Sequence, residues 1–274
     1  MAVKVPNVAV LRTMHKDEVE HEVGLHSRLR HARVCQLFGA CEKDGRLALV
    51  MEFCDGGSLK DLLERDDGRF YGALDAKARV GLALEIASGM LFLHAHDVVH
   101  FDLKPDNVLL TARVPSASGS FGVKIADFGI ARPVQGMSYS SSTSIRAGSP
   151  LYMAPETLVH GRAGKAADVF AFGLVLYGVA TGEEHVDGMS GKMVKRYEVV
   201  LVRDQWRPEI PDSVPPTLAR LMQRCWQHEP GARPAFEEIV HVLEDELARL
   251  DPEHSPGRSA PAPPAPPAPP DDVN

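Results

Sequence analysis

Two long apolar segments limit what this chain can fold into. In residues 166–181, Val169, Phe170, Phe172, Leu174, Val175 and Leu176 follow one another with Asp168 the single charge. A segment that is hydrophobic around the whole helix belongs inside a protein, so it reads as a central helix. Residues 75–96 are rich in Ala and Leu at helical spacing and too long for a strand, and they read as a second buried helix. The chain has 274 residues, 44% of them hydrophobic. That is enough for one large domain or two small ones with a packed core.

Short elements precede and separate these helices. Ala2 to Pro6 reads as the tail of a strand. Asp17 to Leu29 carries a short apolar stripe and reads as a helix. Val34 to Cys41 and Arg46 to Phe53 read as two strands joined by a turn at Lys43, Asp44 and Gly45. Asp55 to Ser58 is a loop in which Ser58 is placed to cap a helix starting at Leu59. Val108 to Leu110 and Val123 to Ala126 flank a Gly- and Ser-rich connection at Pro115 to Gly122, which reads as a surface hairpin. Gln135 to Ser144 is Ser-rich and weakly structured. Beyond Ala166 to Thr181, helices with proline-marked breaks run to Leu250. Asp251 to Asn274 is dominated by proline and alanine, as in Pro261, Pro263 and Pro264. Such a composition buries too little apolar surface to fold, and predicts an extended tail.

Composition narrows the function classes. The net charge is -7 and the basic residues are scattered. A nucleic-acid protein would show a basic stripe, so none is expected as a partner. The four cysteines show no CxxC spacing and read as free thiols of a reducing compartment. The opening Met1, Ala2, Val3, Lys4 turns polar by His15, unlike a signal peptide. No uninterrupted run of ~18 apolar residues occurs. A cytoplasmic protein without a membrane segment is the expectation. His94, His96 and His100 invite a metal reading, but their spacing does not place three ligands on one helix face.

Three short stretches carry chemistry. His100-Phe101-Asp102-Leu103-Lys104-Pro105-Asp106-Asn107 resembles the pattern H-R-D-L-K-x-x-N. Asp127-Phe128-Gly129 follows it, and Ala154-Pro155-Glu156 closes the interval. Each tripeptide alone is weak. Their order and intervals together identify the chain as resembling the eukaryotic-type protein kinases, closest to the tyrosine-kinase-like branch of serine/threonine kinases, over about residues 1 to 250. The resemblance implies a two-lobe α+β fold. Residues 1–54 would form a partial small lobe entered at its third strand, 55–250 a mostly helical large lobe, and 251–274 a disordered Pro-rich tail.

The resemblance also implies an ATP-dependent protein kinase acting on serine or threonine hydroxyls with ATP and magnesium. Phosphoryl transfer depends on positioning and on neutralising phosphate charge. Asp102 would accept the substrate hydroxyl proton, and Lys104 would offset the charge of the transferred phosphate. Asn107 and Asp127 would hold magnesium. Lys4 would grip the nucleotide phosphates and pair with Glu22. Met51, Glu52, Phe53 and Cys54 match the gatekeeper and hinge, whose backbone would bond adenine. Asp168 would steady the catalytic loop, and Glu156 would pair with Arg233. Cys225, Trp226, Pro230, Arg233 and Pro234 complete a C-W-x-x-x-P-x-x-R-P pattern. Lys104 and the segment Gly148 to Met153 favour serine/threonine over tyrosine, with dual specificity as the alternative. A protein substrate follows as partner. The proline tail also suits an SH3- or WW-type groove.

Three departures stand out. Phe101 replaces the arginine that pairs with a phosphorylated activation segment, so activity is expected to depend little on phosphorylation there. His26, four residues after Glu22, stands where the family places an apolar residue, and would disturb the active alignment or respond to pH. No G-x-G-x-x-G precedes Lys4. The expectation is a chain truncated at its N-terminus, with an exposed sheet edge and apolar face. The alternative is an impaired pseudokinase or scaffold.

Overall fold

The computed structural model describes residues 1–4, 23–24, 26–43, 46–65, 68–115, 120–127, 132–133, 150–161, 164–186, 190, 192–193 and 196–251. Near the N-terminus, β1 (Ala2–Lys4), β2 (Leu37–Lys43) and β3 (Arg46–Met51) make an antiparallel sheet in the order β1-β3-β2. A bulge between Leu37 and Gly39 shifts the β2 register against Met51 and Val50, and a glycine there suits the extra residue. Cys35, Leu37 and Met51 bury one face of this sheet against Ala126. On the other side Val3 and Phe38 are 65% and 58% exposed.

The first of the two expected hairpin strands begins later than the apolar pattern suggests. Val34 does not enter β2 but forms a parallel bridge with Ile125. The Cys35 N–H donates to the Ile125 carbonyl at 2.8 Å, and the Ile125 N–H donates to the Arg33 carbonyl at 2.8 Å. Backbone groups already committed to Ile125 are lost to the β2 ladder. The second strand ends at Met51, although the Glu52 N–H still donates to the Gln36 carbonyl at 2.8 Å. Residues 23–24 and 26–28 are helical. The start of the expected helix, with Glu22, lies outside the described residues, as do the expected weak segment 135–144 and the tail from Pro252.

The larger lobe opens with β4 (Gly57–Ser58), α1 (Leu59–Glu64), α2 (Arg69–Gly72), α3 (Ala76–Ala95) and β5 (Val98–Val99). A 3-10 turn (Pro105–Asn107), β6 (Val108–Leu110), β7 (Val123–Ile125) and β8 (Arg132–Pro133) come next. A second 3-10 turn (Pro150–Tyr152) then leads to α4 (Pro155–His160), α5 (Lys165–Thr181), α6 (Tyr197–Val202), α7 (Pro216–Cys225) and α8 (Phe236–Leu250). β6 pairs antiparallel with both β4 and β7, and β5 pairs with β8.

Helix α5 is buried from Ala167 to Ala180 without a break. It ends at Gly182, whose φ of 85° suits a left-handed cap. α3 begins at Asp75, whose carboxylate accepts the Ala78 N–H at 2.7 Å. It packs between α5 and α8, while α7 covers another side of α5. Among the described residues α3 is also long and apolar enough to cross a membrane, although 61% of its apolar window is buried in this lobe. Lys77, Arg79 and Glu85 interrupt the run in sequence, which is why no continuous apolar stretch was legible.

Candidate active site

Asp168 organises the site. It lies in the first turn of α5, fully buried. Its Oδ2 accepts the His100 N–H at 2.8 Å, and its Oδ1 accepts the Phe101 N–H at 2.9 Å. His94, from the last turn of α3, places Nε2 2.8 Å from the same Oδ2. A carboxylate out of water needs such partners. They in turn hold Phe101 at a φ of 65°, a left-handed conformation that strains any residue with a Cβ. Here the strain sits one residue before Asp102. The Phe101 side chain packs against the large-lobe core.

The His100 ring, itself buried, links the two halves of the site. Its Nε2 lies 2.9 Å from the Ala126 carbonyl, and its Nδ1 accepts the Asp102 N–H at 3.3 Å. Asn107 ends the 3-10 turn after Lys104. Its carbonyl accepts the Ala126 N–H at 2.9 Å. Its amide nitrogen donates to the Asp102 carbonyl at 2.7 Å and to Asp102 Oδ2 at 3.0 Å. Lys104 Nζ stands 3.0 Å from the same Oδ2. Ala126 is therefore held by His100 on one side and Asn107 on the other. The next residue is Asp127, half-buried, with a φ of 66°.

The structure thus brings Asp102, Lys104 and Asn107 together, and Asp127 follows Ala126, which Asn107 holds. Both of these Asn107 bonds use the amide nitrogen, and the amide oxygen is the atom an asparagine gives to a metal. With the Asp127 carboxylate this is a hard-oxygen donor set of the kind magnesium takes.

Of the expected hinge residues, Met51 ends β3 and the others follow it. Met51 is buried and Phe53 exposed. The Glu52 carboxylate is engaged: Oε1 lies 2.9 Å from Lys124 Nζ, and Oε2 accepts the Gln36 N–H at 3.2 Å. Cys54 is half-buried. The Lys4 backbone pairs with Leu49. Its side chain, Glu22, Phe128 and Gly129 lie outside the described residues, so the expected Lys4–Glu22 pair does too.

His26 is better accommodated than its apolar surroundings predict. It is buried, with Nε2 3.0 Å from the Cys35 carbonyl, so it ties its helix to the segment before β2. Sequence reading passed over Lys124, which pairs with Glu52. The alternation of Val123 and Ile125, both buried, was the available signal that Lys124 faces the other way. It also passed over Glu85. That carboxylate accepts the Val123 N–H at 2.8 Å, bonds Ser120 and pairs with Arg33 at 3.1 Å. No spacing links these residues in sequence. Beyond the site, the expected Glu156–Arg233 pair is bidentate, at 2.7 and 2.8 Å. His185 Nε2 lies 2.9 Å from the Leu151 carbonyl, bracing the segment before α4.

Comparison with known proteins agrees with this geometry. Serine/threonine-protein kinase STY46 of Arabidopsis thaliana is 34% identical over 245 residues, 89% of this chain and 40% of its own length. Serine/threonine-protein kinase STY17 of the same plant is 34% identical over 226 residues, 82% of this chain and 37% of its own. Dual specificity protein kinase shkB of Dictyostelium discoideum is 34% identical over 240 residues, 87% of this chain and 35% of its own. The chain spans less than half the length of these relatives. Residues 1–243 match the protein tyrosine and serine/threonine kinase family, and the chain belongs to that family.

Proposed function

We propose that this domain transfers the terminal phosphoryl group of ATP to serine or threonine hydroxyls of protein substrates. The observation that carries the reading is the Asp102 carboxylate, braced by Asn107 and Lys104 at 3.0 Å each. Asp102 orients the hydroxyl and takes its proton. Lys104 offsets the charge that develops on the phosphoryl oxygens. Asn107 and Asp127 would hold magnesium, which supplies charge neutralisation at the nucleotide phosphates. Backbone groups from Met51 to Cys54 receive the adenine, and Lys4 with Glu22 aligns the phosphates. Lys104 supports serine/threonine specificity, as does the likeness to two plant serine/threonine-protein kinases. The dual-specificity relative keeps tyrosine within the substrate panel.

The cysteines, all four free thiols, support a reducing compartment such as the cytoplasm. The run Pro261 to Pro270 suits an aromatic-lined groove of the SH3 or WW kind.

The test is phosphate transfer to a protein substrate panel, run beside Mg-ATP binding by thermal shift. Asp102→Asn is expected to lose transfer by roughly 10²–10⁴-fold while keeping nucleotide binding. Asp127→Asn is expected to lose both. Wild type and Asp127→Asn behaving alike in both assays would sink the reading.

A further inference from the structure

Helix α3 carries two buried polar groups that reach different parts of the site. His94, in its last turn, bonds Asp168 and so shares in holding the loop His100 to Asn107. Glu85 stands earlier in the same helix, roughly 13 Å along its axis, and is 8% exposed. Its Oε2 accepts the Val123 N–H at 2.8 Å and lies 3.1 Å from Arg33 Nη1, and its Oε1 accepts the Ser120 hydroxyl. That hydroxyl in turn accepts the Gly122 N–H at 3.1 Å. Every partner of Glu85 here is a donor. A carboxylate, which accepts at both oxygens, suits such a set, and an amide does not.

Through these bonds Glu85 holds strand β7 at two points. It holds Val123 directly. It holds Ile125 through Arg33, whose side chain it grips and whose carbonyl accepts the Ile125 N–H at 2.8 Å. β6 pairs with one edge of β7, and these groups serve the other. The helix lies close against the strand. One turn on from Glu85, a Cβ on Gly89 would stand 2.7 Å from Ile125 Cγ1 and 2.8 Å from the Arg33 carbonyl. β7 ends at Ile125, and Asp127 follows after Ala126 with a φ of 66°.

We propose that Glu85 is a positioning residue for magnesium-dependent phosphoryl transfer, fixing the strand that leads to Asp127 to the same helix that fixes the loop bearing Asp102. The inference rests on the proposed kinase function. One rigid helix then sets the spacing between the base and the metal carboxylate, through His94 and Asp168 at one end and Glu85 at the other. Val123 and Ile125 are fully buried, but apolar packing is non-directional. Hydrogen bonds to their N–H groups fix where the strand stands along the helix. Such precision matters, because a misplacement of about 1 Å can cost a hundredfold in rate.

The test uses the full chain and three variants. Glu85→Ala removes every acceptor contact. Glu85→Gln keeps the shape and an oxygen for Val123 but loses the charge that faces Arg33. Arg233→Lys is the control, since it weakens the fold away from β7. The first measurement is amide hydrogen exchange without metal or nucleotide, well below the melting temperature, on peptides covering residues 121–127. Exchange there should be about tenfold faster in Glu85→Ala, less so in Glu85→Gln, and unchanged in Arg233→Lys. The second is phosphate transfer against magnesium and against protein substrate. Glu85→Ala should lower kcat roughly 10–10²-fold and raise the magnesium needed for half-maximal transfer several-fold. The KM for protein substrate should stay unchanged, because Asp168 still holds the loop His100 to Asn107. Glu85→Gln should recover part of both effects, and if Glu85→Ala does not fold it carries the same signs at smaller size. Wild-type exchange in the Glu85 variants, an unchanged magnesium requirement, or an equal rise in Arg233→Lys would overturn the proposal. If wild type transfers no phosphate and binds no Mg-ATP, the kinase reading itself fails and the positioning role falls with it, whatever the exchange shows.

Discussion

Arg233 uses all five of its N–H donors. Nη1 reaches Glu156 Oε1 at 2.7 Å and the Ala166 carbonyl at 2.8 Å, and Nη2 reaches Glu156 Oε2 at 2.8 Å and the His228 carbonyl at 3.1 Å. Nε reaches the Gln227 carbonyl at 2.9 Å, and the guanidinium lies 5.0 Å from the centre of the Phe170 ring. A lysine has three donors at one point and no planar fork. Arg233→Ala, which leaves Glu156 and three carbonyls behind, is expected to cost about 3–5 kcal/mol, read as a large fall in Tm, and Arg233→Lys should recover only part of it. The opposite sign is expected at Gln205. It is exposed with a φ of 48°, so Gln205→Gly should relieve left-handed strain and stabilise by ~1 kcal/mol in denaturant titration. The Glu156–Arg233 pair was legible from a motif. The strain at Phe101, Asp127 and Gln205 was not, because backbone angle is imposed by the neighbours that hold it.

At the scale of elements, α1 shows how a local signal becomes structure. The Ser58 Oγ accepts the Asp61 N–H at 3.1 Å, and the Asp61 carboxylate accepts the Ser58 N–H at 2.8 Å. Ser58→Ala should cost ~1 kcal/mol of stability by chemical denaturation. The backbone N–H of Ser58, then its hydroxyl, hold the Asp61 pKa below its usual 3.8. A depressed carboxylate pKa means stability present above 3.8 and lost as pH falls from there through the lower folded value. Acid titration of stability should therefore show a small loss in that window, which Ser58→Ala reduces and Asp61→Asn lacks. Helix α3 shows a constraint that propensity misses. A Cβ on Gly89 would stand 2.7 Å from Ile125 Cγ1 and 2.8 Å from the Arg33 carbonyl. Gly89→Ala should lower Tm although alanine favours a helix, because α3 would push against the strand that precedes Asp127. The helices α3 and α5 were readable because their apolar patterns are long. The start of β2 was not, because Val34 suits a strand in either of two pairings.

Across the whole molecule, the loop His100 to Asn107 is held by α5, and the strand that leads to Asp127 by the segment before β2. Asp168 grips His100 and Phe101, while Arg33 and Cys35 grip Ile125. A site braced by buried bonds of this kind needs little help from a charged activation segment, and Phe101 offers no cation there. Phosphatase treatment of the full chain is therefore expected to leave phosphate transfer essentially unchanged, and its abolition would show that another group reads the phosphate. The sequence alone determined the two buried helices, the family and the residue types that carry the chemistry, because periodicity, charge and ordered motifs are properties of the chain itself. Only the tertiary structure decided that Asp168 accepts from two consecutive backbone N–H groups and that Lys124 joins Glu52. Those pairs lie 67, 68 and 74 residues apart for Asp168. Contacts at such separations depend on how helices and strands pack, and no local pattern records them.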